Sequence, residues 1–186
     1  MEQKPVTRRD FIQTAAVAGA AVLTAGNVFN VLGKSEASSA KTRIFICSVC
    51  GHVEFGGAPE NCPICHAPKE KFEQNDTVFS DAEAKGKELT VSHTPVLVAK
   101  KKSTLISEVP CLEITVRIGK KLHPMEEAHH IRFIDCYVDD KHVSRNMLTL
   151  GSYAAGTFQV KAAGTKVRVV HVCNLHGYWQ AEAEAV

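Results

Sequence analysis

The chain has 186 residues, 45% of them hydrophobic, which is enough for one ordinary domain or for a small domain beside a larger one. A formal net charge of +2, with no basic patch interleaved with aromatic residues, argues against nucleic acid as a partner. Seven cysteines are many for this length, and four of them form two Cys-x-x-Cys pairs, a pattern that points to metal before disulfide. The run Lys100, Lys101 and Lys102 reads as a solvated loop, and no solenoid-type repeat is present.

The first forty residues stand apart from the fold. A twin arginine, Arg8-Arg9, precedes Asp10-Phe11-Ile12, and a mildly apolar run rich in Ala, Gly and Thr extends to about Leu32. Small residues then offer a cleavage site after Ala37 or Ala40. This segment resembles a twin-arginine (Tat) export signal, which implies a periplasmic protein carried across the membrane already folded, with its metal loaded beforehand. The run is long enough to span a bilayer, so an uncleaved tether stays open; the only membrane contact expected is through this segment. The domain reading is residues 1–40 signal, 41–75 a small metal domain, 76–88 a linker and 89–186 a larger β domain.

In the small domain, Cys47 and Cys50 are two residues apart, as are Cys62 and Cys65. Each pair can wrap a tight turn that aims both sulfurs at one ion, and two such turns close a tetrahedral site suited to iron or zinc. Thirty residues hold too little core to fold unaided, so the ion also holds the segment together. The sequence Cys62-Pro63-Ile64-Cys65-His66 also matches the c-type haem attachment pattern, but that reading would leave Cys47 and Cys50 without a role. His52 and His66 are expected to be exposed knuckle residues rather than ligands. The segment resembles the rubredoxin-like domain of rubrerythrins through Phe45, Cys50-Gly51, Ala58-Pro59, Cys62-Pro63-x-Cys65 and Ala67-Pro68-Lys69-x-x-Phe72. The resemblance implies a one-electron Fe(S-Cys)4 centre; four-sulfur ligation does not separate iron from zinc, so both stay open.

Residues 74–88 read as a polar linker with room for a short helix. Beyond them, residues 111–119, 130–139, 157–161, 166–173 and 178–185 alternate apolar and polar and are predicted strands. Turns at Gly119-Lys120, Asp139-Asp140, Gly151, Gly156 and Gly164 separate them. Short strands at this spacing suggest a mainly β fold, an antiparallel sandwich.

On this sandwich lie His93, His123, His129, Cys173 and His176, five metal-ligand side chains where a closed zinc site takes four. Imidazoles with one soft thiolate suit iron. His123 and His129 are six residues apart and cannot share a helix face, so they approach an ion from different sides. These residues resemble the iron domain of superoxide reductase, as found in neelaredoxin and desulfoferrodoxin, through His93-x-Pro95, His123-Pro-Met-x-x-x-His129 and Cys173-Asn-x-His176-Gly177-x-Trp179. The resemblance implies an immunoglobulin-like sandwich and a mononuclear Fe(His)4(Cys) centre, with the four imidazoles equatorial, Cys173 axial and the sixth position open. It further implies an oxidoreductase that gives superoxide one electron and releases hydrogen peroxide. The replacement electron is expected from the attached Fe(S-Cys)4 domain, with a donor such as a rubredoxin or a cytochrome as partner. Relatives are often oligomeric, so a homo-oligomer is expected.

The sequence departs from that family in two places. A Glu-Lys pair usually precedes the first histidine, and here Val91 and Ser92 stand there; Lys87 and Glu88 lie a few residues upstream as candidates for the same duty. The missing lysine favours a second reading, a non-catalytic iron-binding electron-transfer protein of the same fold. Desulfoferrodoxins also carry one Cys-x-x-Cys and an adjacent Cys-Cys pair, whereas both pairs here are Cys-x-x-Cys. Cys111 and Cys136 read as buried core thiols, with a disulfide between them left open. His130, His142 and His171 read as ordinary strand or turn residues.

Overall fold

The computed structural model describes residues 42–161 and 164–186; the twin arginine and the rest of the export signal lie outside the described residues. The described residues belong to one compact unit. No helix among them is long and apolar enough to cross a membrane.

The amino-terminal knuckle is a three-stranded antiparallel sheet of β1 (Ile44–Cys47), β2 (Val53–Phe55) and β3 (Phe72–Gln74), in the order β2-β1-β3. Two short helices follow, α1 (Val78–Glu83) and α2 (Lys87–His93), within and just past the stretch read as a linker. The remaining strands are β4 (Pro95–Lys100), β5 (Leu112–Ile118), β6 (Ile131–Val138), β7 (Lys141–Met147), β8 (Ala155–Val160), β9 (Lys166–Cys173) and β10 (Gly177–Glu184). They form two antiparallel sheets, ordered β10-β9-β6-β7 and β4-β5-β8.

Strand β5 shows why a sandwich results. Leu112, Ile114, Val116 and Ile118 alternate with Glu113, Thr115 and Arg117, and only the apolar set is buried. Their partners in the main core come from the facing sheet, Ile134, Cys136 and Val138 of β6 and Val167 and Val169 of β9. The two-residue turn between β6 and β7 puts Asp139 and Asp140 at φ +50° and +61°, the left-handed pair a tight hairpin needs and that short polar side chains tolerate.

Strands β6 and β9 are buried nearly throughout, on both faces. Their outer face is covered by the knuckle and α1, where Ile44, Val53 and Phe79 pack with Tyr137 and Val170 in a second core. Two hydrogen bonds fix the docking: Tyr137 Oη donates to Val53 O at 2.7 Å, and Arg145 Nη1 donates to Cys50 O at 3.0 Å. Arg145 also grips the buried Asp135 with both ends of its guanidinium, at 2.6 and 2.7 Å, and lies 3.6 Å over the Phe133 ring. Cys111 and Cys136 are buried free thiols.

Candidate metal centres

The knuckle builds its site from one turn used twice. Gly51 N–H donates to Cys47 O at 2.8 Å, and His66 N–H donates to Cys62 O at 2.9 Å. Each turn is followed by left-handed backbone, φ +73° at Gly51 and +59° at His66. The second position tolerates histidine because it is exposed, as expected. The first is tighter, because a Cβ on Gly51 would sit 3.0 Å from Tyr178 Oη and 3.4 Å from the Phe133 ring of the sandwich, so both would have to shift.

The four sulfurs of Cys47, Cys50, Cys62 and Cys65 converge. Cys47 Sγ and Cys65 Sγ are 3.7 Å apart, and Cys50 Sγ and Cys62 Sγ are 3.5 Å apart. A disulfide needs about 2.05 Å. A tetrahedral ion with metal–sulfur bonds of about 2.3 Å has edges of about 3.8 Å, so the residues fit such an ion. Burial raises the thiol pKa of Cys50 and Cys62, while the Ala67 backbone N–H lowers that of Cys65 to about 7.

The second centre draws on distant segments. His93 ends α2, and the loop after β5 is stitched onto that end: Gly119 N–H donates to Thr94 O and Lys120 N–H to Val91 O. Gly119 is required there, with φ +81° and a Cβ position 2.4 Å from Ser92 O and 2.3 Å from Lys121 O. This close approach delivers His123 beside His93. His129 is held by a clamp from Asn174, whose Oδ1 accepts from His130 N–H at 2.9 Å and whose Nδ2 donates to Ala128 O at 3.0 Å. Cys173 ends β9, and the turn into β10 returns His176 to it, with Cys173 Sγ and His176 Nδ1 3.5 Å apart.

The four imidazoles form a ring in the order His93, His123, His129, His176. Neighbouring centroids are 4.4 to 4.9 Å apart with planes at 72° to 77°, and His93 faces His129 across the ring at 5.8 Å and 30°. His93 Nδ1–H donates to Leu89 O at 2.9 Å, and His123 Nδ1–H donates to Pro124 O at 2.7 Å. Each ring therefore turns its Nε2 lone pair inward, and the two Nε2 atoms are 3.1 Å apart. His129 Nε2 is buried without a hydrogen-bond partner. Converging lone pairs repel unless a cation lies between them, and two nitrogens about 2.1 Å from one ion at a right angle are about 3.0 Å apart, so this donor set also fits a metal.

Electrostatics agree with that fit. Burial first, and neighbouring histidines after it, hold His93 and His123 down to about pKa 4, so both are neutral donors at neutral pH. Burial also lowers His176 and raises the Cys173 thiol, the latter opposed by the backbone N–H groups of Leu175 and His176.

Sequence reasoning missed several supporting contacts. His171, read as an ordinary histidine, is fully buried and donates from Nε2 to His93 O at 2.7 Å. Trp179 stacks on the His93 ring at 5.0 Å. Lys85 Nζ, on the surface, donates to His176 O at 3.3 Å, whereas Lys87 and Glu88 lie exposed in the first turn of α2. His52, expected to be exposed, is completely buried, because the knuckle face that carries it docks against β6.

Comparison with known proteins places these centres in context. A family model described as desulfoferrodoxin matches residues 82–182, one described as the rubredoxin-like domain of rubrerythrin matches 45–73, and one for the Tat signal sequence matches 5–25. The desulfoferrodoxin of Desulfarculus baarsii is 36% identical over 92 residues, 50% of this chain and 71% of that protein. The desulfoferrodoxin of Syntrophotalea carbinolica is 31% identical over 145 residues, 76% of this chain and 97% of its own. Among solved structures, the superoxide reductase (neelaredoxin) of Ignicoccus hospitalis is 26% identical with a TM-score of 0.45, covering 57% of this chain and 96% of that one.

Proposed function

Because the chain belongs to the desulfoferrodoxin family, we propose that it is an exported, periplasmic superoxide reductase whose iron is held by His93, His129, His176 and Cys173, which cluster together, and by His123, whose Nε2 lies beside that of His93. When bound, ferrous iron supplies the single electron that, with two protons, converts superoxide to hydrogen peroxide. The observation that carries the reading is the ring of four imidazoles with the Cys173 thiol beside it, five donor side chains of the kind that would hold a single iron.

The chain's own residues prepare that chemistry. Leu89 O and Pro124 O fix the tautomers of His93 and His123, so no reorganisation is needed when an ion binds. His171 and Trp179 hold the His93 main chain and ring, and Asn174 holds the His129 loop. Lys85 brings positive charge to the rim beside His176 and draws the anionic substrate; Lys87 and Glu88, exposed in the first turn of α2, which His93 ends, are further candidates for that duty.

The four-cysteine knuckle, read as an iron site, is the local source of the replacement electron. The support is its docking: the Tyr178 phenol lies against Gly51, next to Cys50, while Tyr178 is itself two residues from His176. The test is superoxide consumption after pulse radiolysis of the iron-loaded protein, with oxygen followed in parallel. Consumption without oxygen release is expected. Oxygen evolution would mean dismutation, and no consumption would mean a non-catalytic electron carrier.

A further inference from the structure

A third cluster of metal-ligand side chains lies where the knuckle meets the sandwich. His52 comes from the knuckle, Asp135 from β6 and His142 from β7, and their ligand atoms lie within 4.8 Å of one another. His52 is fully buried; its ring stacks over Tyr137 and meets His142 edge-on, with centroids 4.9 Å apart. Its Nε2 lies 3.0 Å from Glu54 Oε2, and in the neutral ring with the proton on Nε2 the Nδ1 atom carries a lone pair. That lone pair points toward the Asp135 carboxylate, 3.7 Å from Oδ2, and His142 Nε2 lies 3.4 Å from Oδ1. Both nitrogens are buried, and neither has a hydrogen-bond partner among the described residues.

Two ring nitrogens held against one buried carboxylate without a close hydrogen bond call for positive charge between them, either protons on the rings, which Asp135 and Glu54 favour at His52, or one shared metal ion. Donors about 2.0 to 2.2 Å from one ion stand about 3 to 4 Å apart, which is the spacing of each nitrogen from the Asp135 carboxylate. Glu54 behind His52 is the carboxylate–histidine–metal arrangement that sets a ligand's tautomer. Arg145 offsets the charge of Asp135 from its other side and leaves each oxygen a second lone pair. With Asp135 and Glu54 negative and Arg145 positive, the surroundings keep a net charge of minus one to receive a dication.

We propose that this junction binds a third metal ion, a divalent transition ion of the zinc class, through His52 Nδ1, His142 Nε2 and the Asp135 carboxylate. Two imidazoles and a carboxylate are a common zinc donor set. Its ligands come from both sides of the docking surface, so the ion staples the knuckle onto the sandwich and plays no part in the chemistry of the other two centres.

The test is total metal in the full chain grown with zinc and iron, compared with His142→Gln. Three ions per chain are expected in the wild type and two in the variant, with the visible bands of the other two centres unchanged. Two ions in the wild type, or three in both proteins, overturns the proposal. Should the variant fail to fold, X-ray absorption at the zinc edge of the wild type decides. A zinc shell of nitrogen and oxygen alone is expected, since the other two centres both contain sulfur, and zinc bound only with sulfur overturns the proposal.

Discussion

The two main centres solve the same problem at opposite ranges. The knuckle takes all its ligands from one short stretch, Cys47 to Cys65, as two copies of one hydrogen-bonded turn. The second centre gathers donors from the end of α2, the loop after β5 and the turn between β9 and β10. The difference teaches where each is vulnerable. The knuckle depends on its ion and its turns, while the histidine ring depends on the packing that brings distant segments together.

Removing Cys173 is the sharpest way to break this contrast. Cys173→Ser should lower superoxide reduction by about 100-fold or more, on the scale of losing a metal-supporting group, and leave the knuckle's own spectrum intact. Stopped-flow kinetics beside the visible spectrum checks both halves. Gly119→Ala comes next. The left-handed φ and the near contact with Ser92 O should cost about 1–3 kcal/mol and weaken metal retention at the histidine ring, with the four-cysteine site unmoved. Chemical denaturation together with metal analysis would detect it.

Acid should also separate the centres. In the metal-free fold His93 and His123 are held near pKa 4, below the ordinary value of 6.5, so the neutral rings favour the folded state. That contribution is fully present above pH 6.5 and is lost progressively as pH falls toward 4, which thermal melts of the chelator-treated protein would reveal as a falling Tm. Tyr137→Phe removes the bond to Val53 O and should cost about 1–2 kcal/mol, read as faster proteolysis of the knuckle. The smallest effect is expected for Lys85→Gln: a few-fold slower reaction with superoxide at low ionic strength, disappearing as salt screens the charge.

Local patterns made much of this legible. The five strands with clear alternation follow from period, and the four-cysteine knuckle from a motif close in sequence, whereas the donors of the histidine ring, spread from His93 to His176, were legible only through the resemblance of three short motifs to a known family. Strand β7 escaped notice because Lys141-His142-Val143-Ser144-Arg145-Asn146 lacks an apolar face, being an edge strand whose polar side chains serve Asp135 and the knuckle. Strand β4 was missed because Val96 and Val98 face outward, so its alternation carries no polar side. His52, His171 and Lys85 owe their positions to partners more than seventy residues away, and no spacing rule reaches that far.

The double-sided burial of β6 and β9 has a cost for anyone who trims the chain. A fragment beginning after the knuckle would uncover Phe133, Tyr137 and Val170 on one flank, a sticky patch that invites self-association. A natural protein with this sandwich and no knuckle would need water-compatible side chains at those three positions. The outward residues of β6 thus serve as a fingerprint for whether a given sequence evolved with its amino-terminal companion in place.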